Sequence, residues 1–300
     1  MKKYIALLLV LIMALSLAAC GKADENNETF VSTAVAEDET SKAETTVADT
    51  TAKADETETE TSAEKAESKI PETPMEIIEA YTTVMNKAKD EKVGFKKAEW
   101  QSLPSDANSR VVSKGGTLVN IALNAANNFM TDEATAKKNP DVYEKGGDMK
   151  DFPIRNTPYG CTLTEKDLDK IETIKCEELK NGNYKITIVL KSEKNPEPAP
   201  EGTGNSPSFT GRLITPISKK QIDENLNGGI VSAVAKDIVY SLTFHDVTSV
   251  VEYNPETNQI VKLEQTTRVT VSGSGKIGLA EMVVDKQELV NDKYIYDLVY

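Results

Sequence analysis

The chain has 300 residues and a formal net charge of −13, from 48 acidic and 35 basic side chains. Much of this acidity is concentrated in residues 21–70, which carry fourteen acidic and five basic side chains. Binding to nucleic acid needs clustered Lys and Arg, so the composition argues against a nucleic acid as a partner.

Residues 1–19 have the three parts of a secretory signal peptide: two lysines, an apolar run over residues 5–15, and small residues before Cys20. The run is shorter than the ~20 apolar residues that span a bilayer. The letters LAAC at residues 17–20 resemble the lipobox of bacterial lipoproteins. That resemblance implies cleavage before Cys20, a diacylglyceryl thioether on its sulfur, and a place on the outer face of the cytoplasmic membrane. The alternative is an ordinary signal peptide with an accidental cysteine.

The segment after the lipobox has almost no side chains that could form a core. It consists mainly of Thr, Ala, Glu, Ser, Asp and Lys, and Phe30 is its only aromatic residue. Such a composition cannot bury enough apolar area to offset the entropy lost on ordering. We therefore predict that residues 20–70 are a lipidated cysteine followed by a disordered tether, and that residues 71–300 form one globular domain.

The domain is predicted to begin with a helix. Thr73 can cap it, Pro74 suits its first position, and Glu76 completes a capping box. Apolar residues recur at helical spacing through residues 75–85, which indicates a helix with one buried face.

A strand and a second helix are predicted next. The stretch GFKKAEWQSL is typical of a strand, and TLVNIALNAANNFM is typical of an amphipathic helix. The predicted buried face of this helix comprises Leu118, Ile121, Ala122, Ala125 and Phe129.

The stretch TIKCEELKNGNYKITIVLK predicts a β-hairpin. Two alternating runs flank the turn residues Asn181, Gly182 and Asn183. In the second run every other residue is apolar, which predicts that one face is buried. The predicted inward residues are Tyr184, Ile186, Ile188 and Leu190.

The rest of the chain is predicted to contain one more helix and a β-meander. Apolar residues at helical spacing favour a helix from Ser218 to Val239, interrupted by Gly228 and Gly229. Turns are predicted over residues 253–259 and 272–275, and strands joined by short turns pair antiparallel.

The two predicted hairpins resemble those of known proteins. The pattern C-x-x-x-x-N-G-N-Y-x-I-T-I-x-L-K and the later Y-N-P-E-T-N-Q-I-V-K-L look like those of uncharacterised lipoproteins of Gram-positive anaerobes. The predicted helices on a curved antiparallel sheet are more distantly similar to LolA-like lipoprotein carriers. Neither resemblance transfers a functional residue.

Motifs for catalysis, cofactors and metals are not found in the sequence. His245 is the only histidine and lies next to Asp246, and no phosphate-binding loop, dinucleotide motif or EF-hand is present. We therefore predict no catalytic, cofactor or metal site, with His245 as a surface or satisfied histidine. An enzyme would be favoured only if His245 lay in a cleft with a carboxylate and a hydroxyl in reach. Cys161 and Cys176 are a candidate disulfide, or else two separate thiols.

Together these patterns predict an α+β domain in which two to three helices pack on a curved antiparallel β-sheet. We expect a membrane-anchored module that binds a ligand or another envelope protein. If the core encloses an apolar cleft, the ligand is lipid-like. The candidate lining residues are then Phe95, Trp100, Phe129 and Tyr184. If the core is filled, the protein is a structural or scaffold component of the envelope.

Overall fold

The structure is a computed structural model. It describes residues 69–128, 130–149, 152–155, 157–201, 203–226 and 235–300. The predicted signal peptide, Cys20 and nearly all of the predicted tether lie outside this part of the chain. Ile70, placed by the sequence at the end of the tether, is partly buried against the core.

The described residues form an antiparallel sheet of nine strands, which confirms the predicted fold class. The strand order is β3-β1-β9-β8-β7-β5-β4, with β2 paired to β9 and β6 paired to β7. The strands are β1 Gly94–Ser102, β2 Arg110–Lys114, β3 Asp141–Tyr143, β4 Ile171–Glu178, β5 Tyr184–Leu190, β6 Glu193–Lys194, β7 Ala235–Asn254, β8 Gln259–Ile277 and β9 Ala280–Val299.

Four α-helices and two short 3₁₀ segments accompany the sheet in the described ranges. They are α1 Pro74–Asp90, α2 Gly116–Asn128, α3 Glu133–Lys138 and α4 Lys219–Leu226, with 3₁₀ turns at Glu165–Lys170 and Thr210–Arg212.

The first helix begins as predicted. The Thr73 hydroxyl accepts a hydrogen bond from the Glu76 amide, and the Glu76 carboxylate accepts one from the Thr73 amide. Tyr81, Val84 and Met85 are completely buried. The predicted apolar stripe of α1 therefore faces the core.

The buried face of α2 is shifted by one residue from the prediction, although Ala122 is buried as predicted and Ala125 is partly buried against the core. Its buried residues are Val119, Ala122, Leu123 and Ala126. Ile121, predicted to be inside, is 54% exposed, and Phe129 lies outside the described residues. One residue corresponds to a rotation of about 100° around a helix. The helix is apolar on more than one side, so packing selects the buried face.

The predicted hairpin is confirmed. Strands β4 and β5 pair antiparallel, and the connection at residues 179–183 contains Gly182 at a φ of 79°. Burial alternates strictly along β5, and the buried positions are the four that were predicted.

Two predictions near the long strands are wrong. Residues 235–239, predicted to be helical, belong to β7, where Ala235 pairs with Ile277 of β8. Residues 272–275, predicted to be a turn, lie inside β8. A side chain at Gly273 would come within 2.7 Å of the Val239 carbonyl oxygen, so this glycine permits close backbone approach. The turn between β8 and β9 lies at residues 278–279 instead, whereas the predicted turn at 253–259 is confirmed.

The two faces of the sheet differ in chemistry. We use "inner face" for the side on which Ile186, Val251 and Leu263 pair across three strands, all with no exposed surface. Helix α1 packs on this side, where the Tyr81 hydroxyl lies 2.7 Å from that of Ser249. The opposite, "outer" face carries ion pairs between neighbouring strands, such as Lys185 with Glu177, and is in contact with solvent.

Candidate functional site

The inner face carries a group of polar residues where the pattern of the neighbouring strands predicts apolar ones. Strand pairing places Glu99, Lys293 and Gln265 side by side on β1, β9 and β8. Two residues away on each strand, Gln101, Asn291 and Thr267 pair in the same way. We refer to the six residues as the inner-face polar patch: Glu99, Gln101, Gln265, Thr267, Asn291 and Lys293.

Hydrogen bonds connect the members of this patch. The Gln101 side-chain nitrogen donates to Asn291 Oδ1 at 3.0 Å, and Lys293 Nζ lies 3.4 Å from Gln265 Oε1. Gln265 Nε2 in turn lies 3.3 Å from the carbonyl oxygen of Leu213. Gln265 and Thr267 are buried, and the other four are partly accessible.

Charged groups adjoin the patch at the edge of β1. Lys97 Nζ lies 3.6 Å from a Glu99 oxygen and 3.4 Å from an Asp141 oxygen. Burial favours the neutral amine of Lys97, but the Glu99 carboxylate and the Tyr143 hydroxyl outweigh burial. The pKa of Lys97 is therefore raised, and its ammonium stays charged at neutral pH.

Apolar residues enclose the patch on both sides. Leu263 and Ile295 pair on one side, and Val269 and Leu289 pair on the other. None of these four is more than 2% exposed. Solvent therefore reaches only the four partly accessible polar side chains on this part of the inner face, while the adjacent apolar side chains are buried.

The aromatic residues predicted to line a cleft do not share one surface. Phe95 is buried and stacks on Tyr143 with ring centroids 4.4 Å apart. Trp100 lies on the outer face, where Lys137 Nζ is 5.2 Å from its ring centroid. Tyr184 packs edge-on against Tyr253. Phe129, the fourth candidate, is outside the described residues.

Both described cysteines are free thiols. Cys161 is buried, and Cys176 is partly buried on β4 opposite Ile186. Burial raises the pKa of each thiol to about 11. The candidate disulfide is therefore not formed in this structure, and neither environment activates a thiolate.

His245 lies within reach of a carboxylate and a hydroxyl. Its Nδ1 is 3.0 Å from Asp246 Oδ2, and its Nε2 is 3.1 Å from Thr270 Oγ1. The imidazole is 22% exposed and lies on the outer face. Two of the conditions that favour an enzyme are therefore present, but on a sheet face in contact with solvent.

The described ranges contain no group of three or more His, Cys, Asp or Glu side chains that could hold a metal ion. None of the helices described is both long and apolar enough to cross a membrane.

Sequence reasoning missed the inner-face polar patch. In residues 96–101 the alternation of polar and apolar side chains is weak. Lys97, Glu99 and Gln101 form a polar row, which is the pattern expected for the solvent-facing side of a strand. The face on which a strand is buried depends on its neighbours, and β9 follows β1 by almost 200 residues. The sequence feature that could have indicated the patch is a set of polar residues at alternate positions within both β1 and β9.

Comparison with known proteins finds no family model, no curated protein and no solved structure that matches this chain. The lipobox and hairpin resemblances therefore stay predictions.

Proposed function

We propose that this chain is a lipoprotein anchored to the outer face of the cytoplasmic membrane, and that its domain binds a small polar ligand at the inner-face polar patch. The LAAC motif supports an anchor on Cys20. Two or three acyl chains on one cysteine would hold the chain firmly, since each buried CH₂ contributes ~0.8 kcal/mol. The composition of residues 22–70 supports a flexible connection between anchor and domain.

The observation that carries the binding proposal is that polar side chains on the inner face are partly accessible, whereas the apolar side chains beside them are buried. Burying charged or polar groups in a core is costly unless they are paired, and an apolar core would avoid that cost. Here Glu99, which is ion-paired with Lys97, and Lys293, which contacts Gln265, lie between apolar pairs, and the Glu99 side chain keeps 12% exposure. A ligand approaching this face meets polar groups, which favours a polar ligand over the lipid-like one.

The patch offers both donors and acceptors to such a ligand. The hydrogen bond between Gln101 and Asn291 uses one carboxamide atom of each side chain. Gln101 Oε1 and Asn291 Nδ2 can therefore accept from and donate to a ligand. Lys293 and Glu99 add a charge of each sign on adjacent strands. Hydroxyl, amide, carboxylate and amine groups on a small molecule would each find a partner.

Native mass spectrometry of the protein purified from its own host tests this proposal. We expect a copurified small polar molecule on the unmodified protein and its loss from the double variant Gln101→Leu with Asn291→Leu. The matched control is Thr266→Val with Asp292→Asn, because that hydrogen-bonded pair lies on the outer face of β8 and β9. The control should retain the molecule.

Other outcomes would support the other candidates. A copurified lipid would favour the lipid-like ligand. If no molecule copurifies and the inner-face double variant behaves as the control does, the polar-ligand proposal fails. A filled-core envelope protein that contacts partners through its surface would then be favoured.

A further inference from the structure

A β-bulge places the side chains of His245 and Asp246 on the same face of β7. Successive residues of a regular strand point to opposite faces. The pairing of β7 with β8 shifts register between His245 and Thr248, and Asp246 has a φ of 50°. A left-handed backbone at a non-glycine residue is uncommon and costs energy. Here it brings the Asp246 carboxylate to 3.0 Å from the neighbouring imidazole.

The resulting hydrogen bonds run in one direction. An ionised carboxylate only accepts hydrogen bonds, so His245 Nδ1–H donates to Asp246 Oδ2, and this fixes the tautomer of the imidazole. Nε2 is then left with a lone pair directed at Thr270 Oγ1, 3.1 Å away on β8. The Thr270 hydroxyl therefore donates to the imidazole. A hydroxyl hydrogen-bonded to a base, which is in turn hydrogen-bonded to an orienting carboxylate, is the arrangement that activates a nucleophile.

We propose that Thr270 is a nucleophile toward small esters, with His245 as its general base and Asp246 as the residue that positions the base. Thr270 is partly accessible on the outer face, so the substrate class we infer is a small, soluble acyl ester. This proposal is independent of ligand binding on the inner face.

Arg268 completes the arrangement from the same strand. It lies two residues before Thr270 on β8, so both side chains project from the outer face about 7 Å apart. Its guanidinium is only loosely held, with nitrogens 4.0 Å from Asp246 and 4.0 Å from Glu288, and its side chain is 45% exposed. It can turn toward a carbonyl oxygen at Thr270 and stabilise the negative charge that develops there.

The reaction is an acyl transfer. The Thr270 Oγ–H bond breaks as its proton moves to His245 Nε2, and Oγ forms a bond to the carbonyl carbon of the ester. The carbonyl π pair moves onto oxygen beside Arg268. When that pair returns, the bond to the alcohol oxygen breaks, and the leaving oxygen takes the proton from Nε2. The products are an acylated Thr270 and an alcohol, and water releases the acid by the same steps.

The test is acetylation of the full chain, purified in detergent, by p-nitrophenyl acetate, with the modified residue mapped by peptide mass spectrometry. We expect an acetyl group on Thr270 that is absent in Thr270→Val and retained in Thr270→Ser. Loss of a general base lowers rates by roughly 10²–10⁴-fold, so His245→Ala should slow labelling at least about 100-fold. Added imidazole should restore part of that rate, which a purely structural histidine would not allow.

The matched control is Thr243→Val. Thr243 pairs directly with Thr270 across β7 and β8 and faces the same side, so its loss should leave labelling of Thr270 unchanged. Circular dichroism melting checks that each variant folds, and His245→Gln replaces His245→Ala if the latter does not. Absence of an adduct at Thr270, equal labelling of Thr243, or a rate insensitive to His245 would each overturn the proposal.

Discussion

Truncating Ile188 tests the assignment of the two faces of β5. Ile188 has no exposed surface and lies between Ile174 of β4 and Ser249 of β7. Ile188→Ala removes three carbon groups, which costs about 2.4 kcal/mol at ~0.8 kcal/mol each, and the cavity left behind adds to this. We therefore expect a loss of about 3–4 kcal/mol in the free energy of unfolding.

The adjacent Thr187→Ala is the matched control for Ile188→Ala. Thr187 points to the outer face of the same strand and is only partly buried, so its truncation should cost well under about 1 kcal/mol. The assay is urea unfolding of residues 20–300 carrying Cys20→Ser, followed by circular dichroism and by the fluorescence of Trp100, the single tryptophan. For a domain of this size, 1 kcal/mol corresponds to roughly 2–4 °C in Tm, so Ile188→Ala should lower Tm by roughly 10 °C.

The outcomes are distinguishable. Equal and small losses in the two variants would mean that β5 is not buried on the Ile188 side. Equal and large losses would mean that both faces are covered, contrary to the solvent-facing ion pairs of the outer face. Either result would refute the division into inner and outer faces, and with it the location of the inner-face polar patch.

Four further predictions concern the anchor, the tether, a buried ion pair and a thiol. Cys20→Ser should abolish incorporation of a labelled fatty acid, and label persisting on the variant would contradict the lipobox. Deleting residues 22–67 should leave the Tm of the domain within a few degrees, whereas a larger drop would show that the segment packs on it. Arg212→Met should cost about 3–5 kcal/mol in urea unfolding, because it leaves the buried Asp167 carboxylate without Arg212 Nη1, which lies 2.7 and 2.9 Å from its two oxygens. Adding Asp167→Asn should recover part of that loss. Folding raises the pKa of Cys161 from 9.0 to about 11, so the native thiol should resist iodoacetamide at pH 8. The stabilisation associated with the protonated thiol should persist below pH 9 and fall as pH rises toward 11, measured by urea unfolding across that range.

Short sequence patterns correctly predicted the elements that are stabilised by contacts between residues close together in the chain. The cap of α1 depends on Thr73 and Glu76, three residues apart, and the β4–β5 hairpin depends on a turn and a strict alternation. Both are contained in short stretches of sequence, so no distant partner is needed to specify them. The fold class followed from these elements, since strands joined by short turns must pair antiparallel.

Tertiary structure decided the features that depend on distant partners. Residues 235–239 have helical spacing of apolar residues, but pairing with β8 satisfies their backbone as a strand. Gly273 carries a turn signal, yet the close approach of β7 explains it better. The inner-face polar patch unites β1 with strands nearly 200 residues later, and Asp246 reaches His245 because a bulge redirects β7. The sequence alone determined the cap of α1, the β4–β5 hairpin and the fold class. Which polar residues meet on one face was decided by strand register, because register depends on pairing between segments that are far apart in the chain.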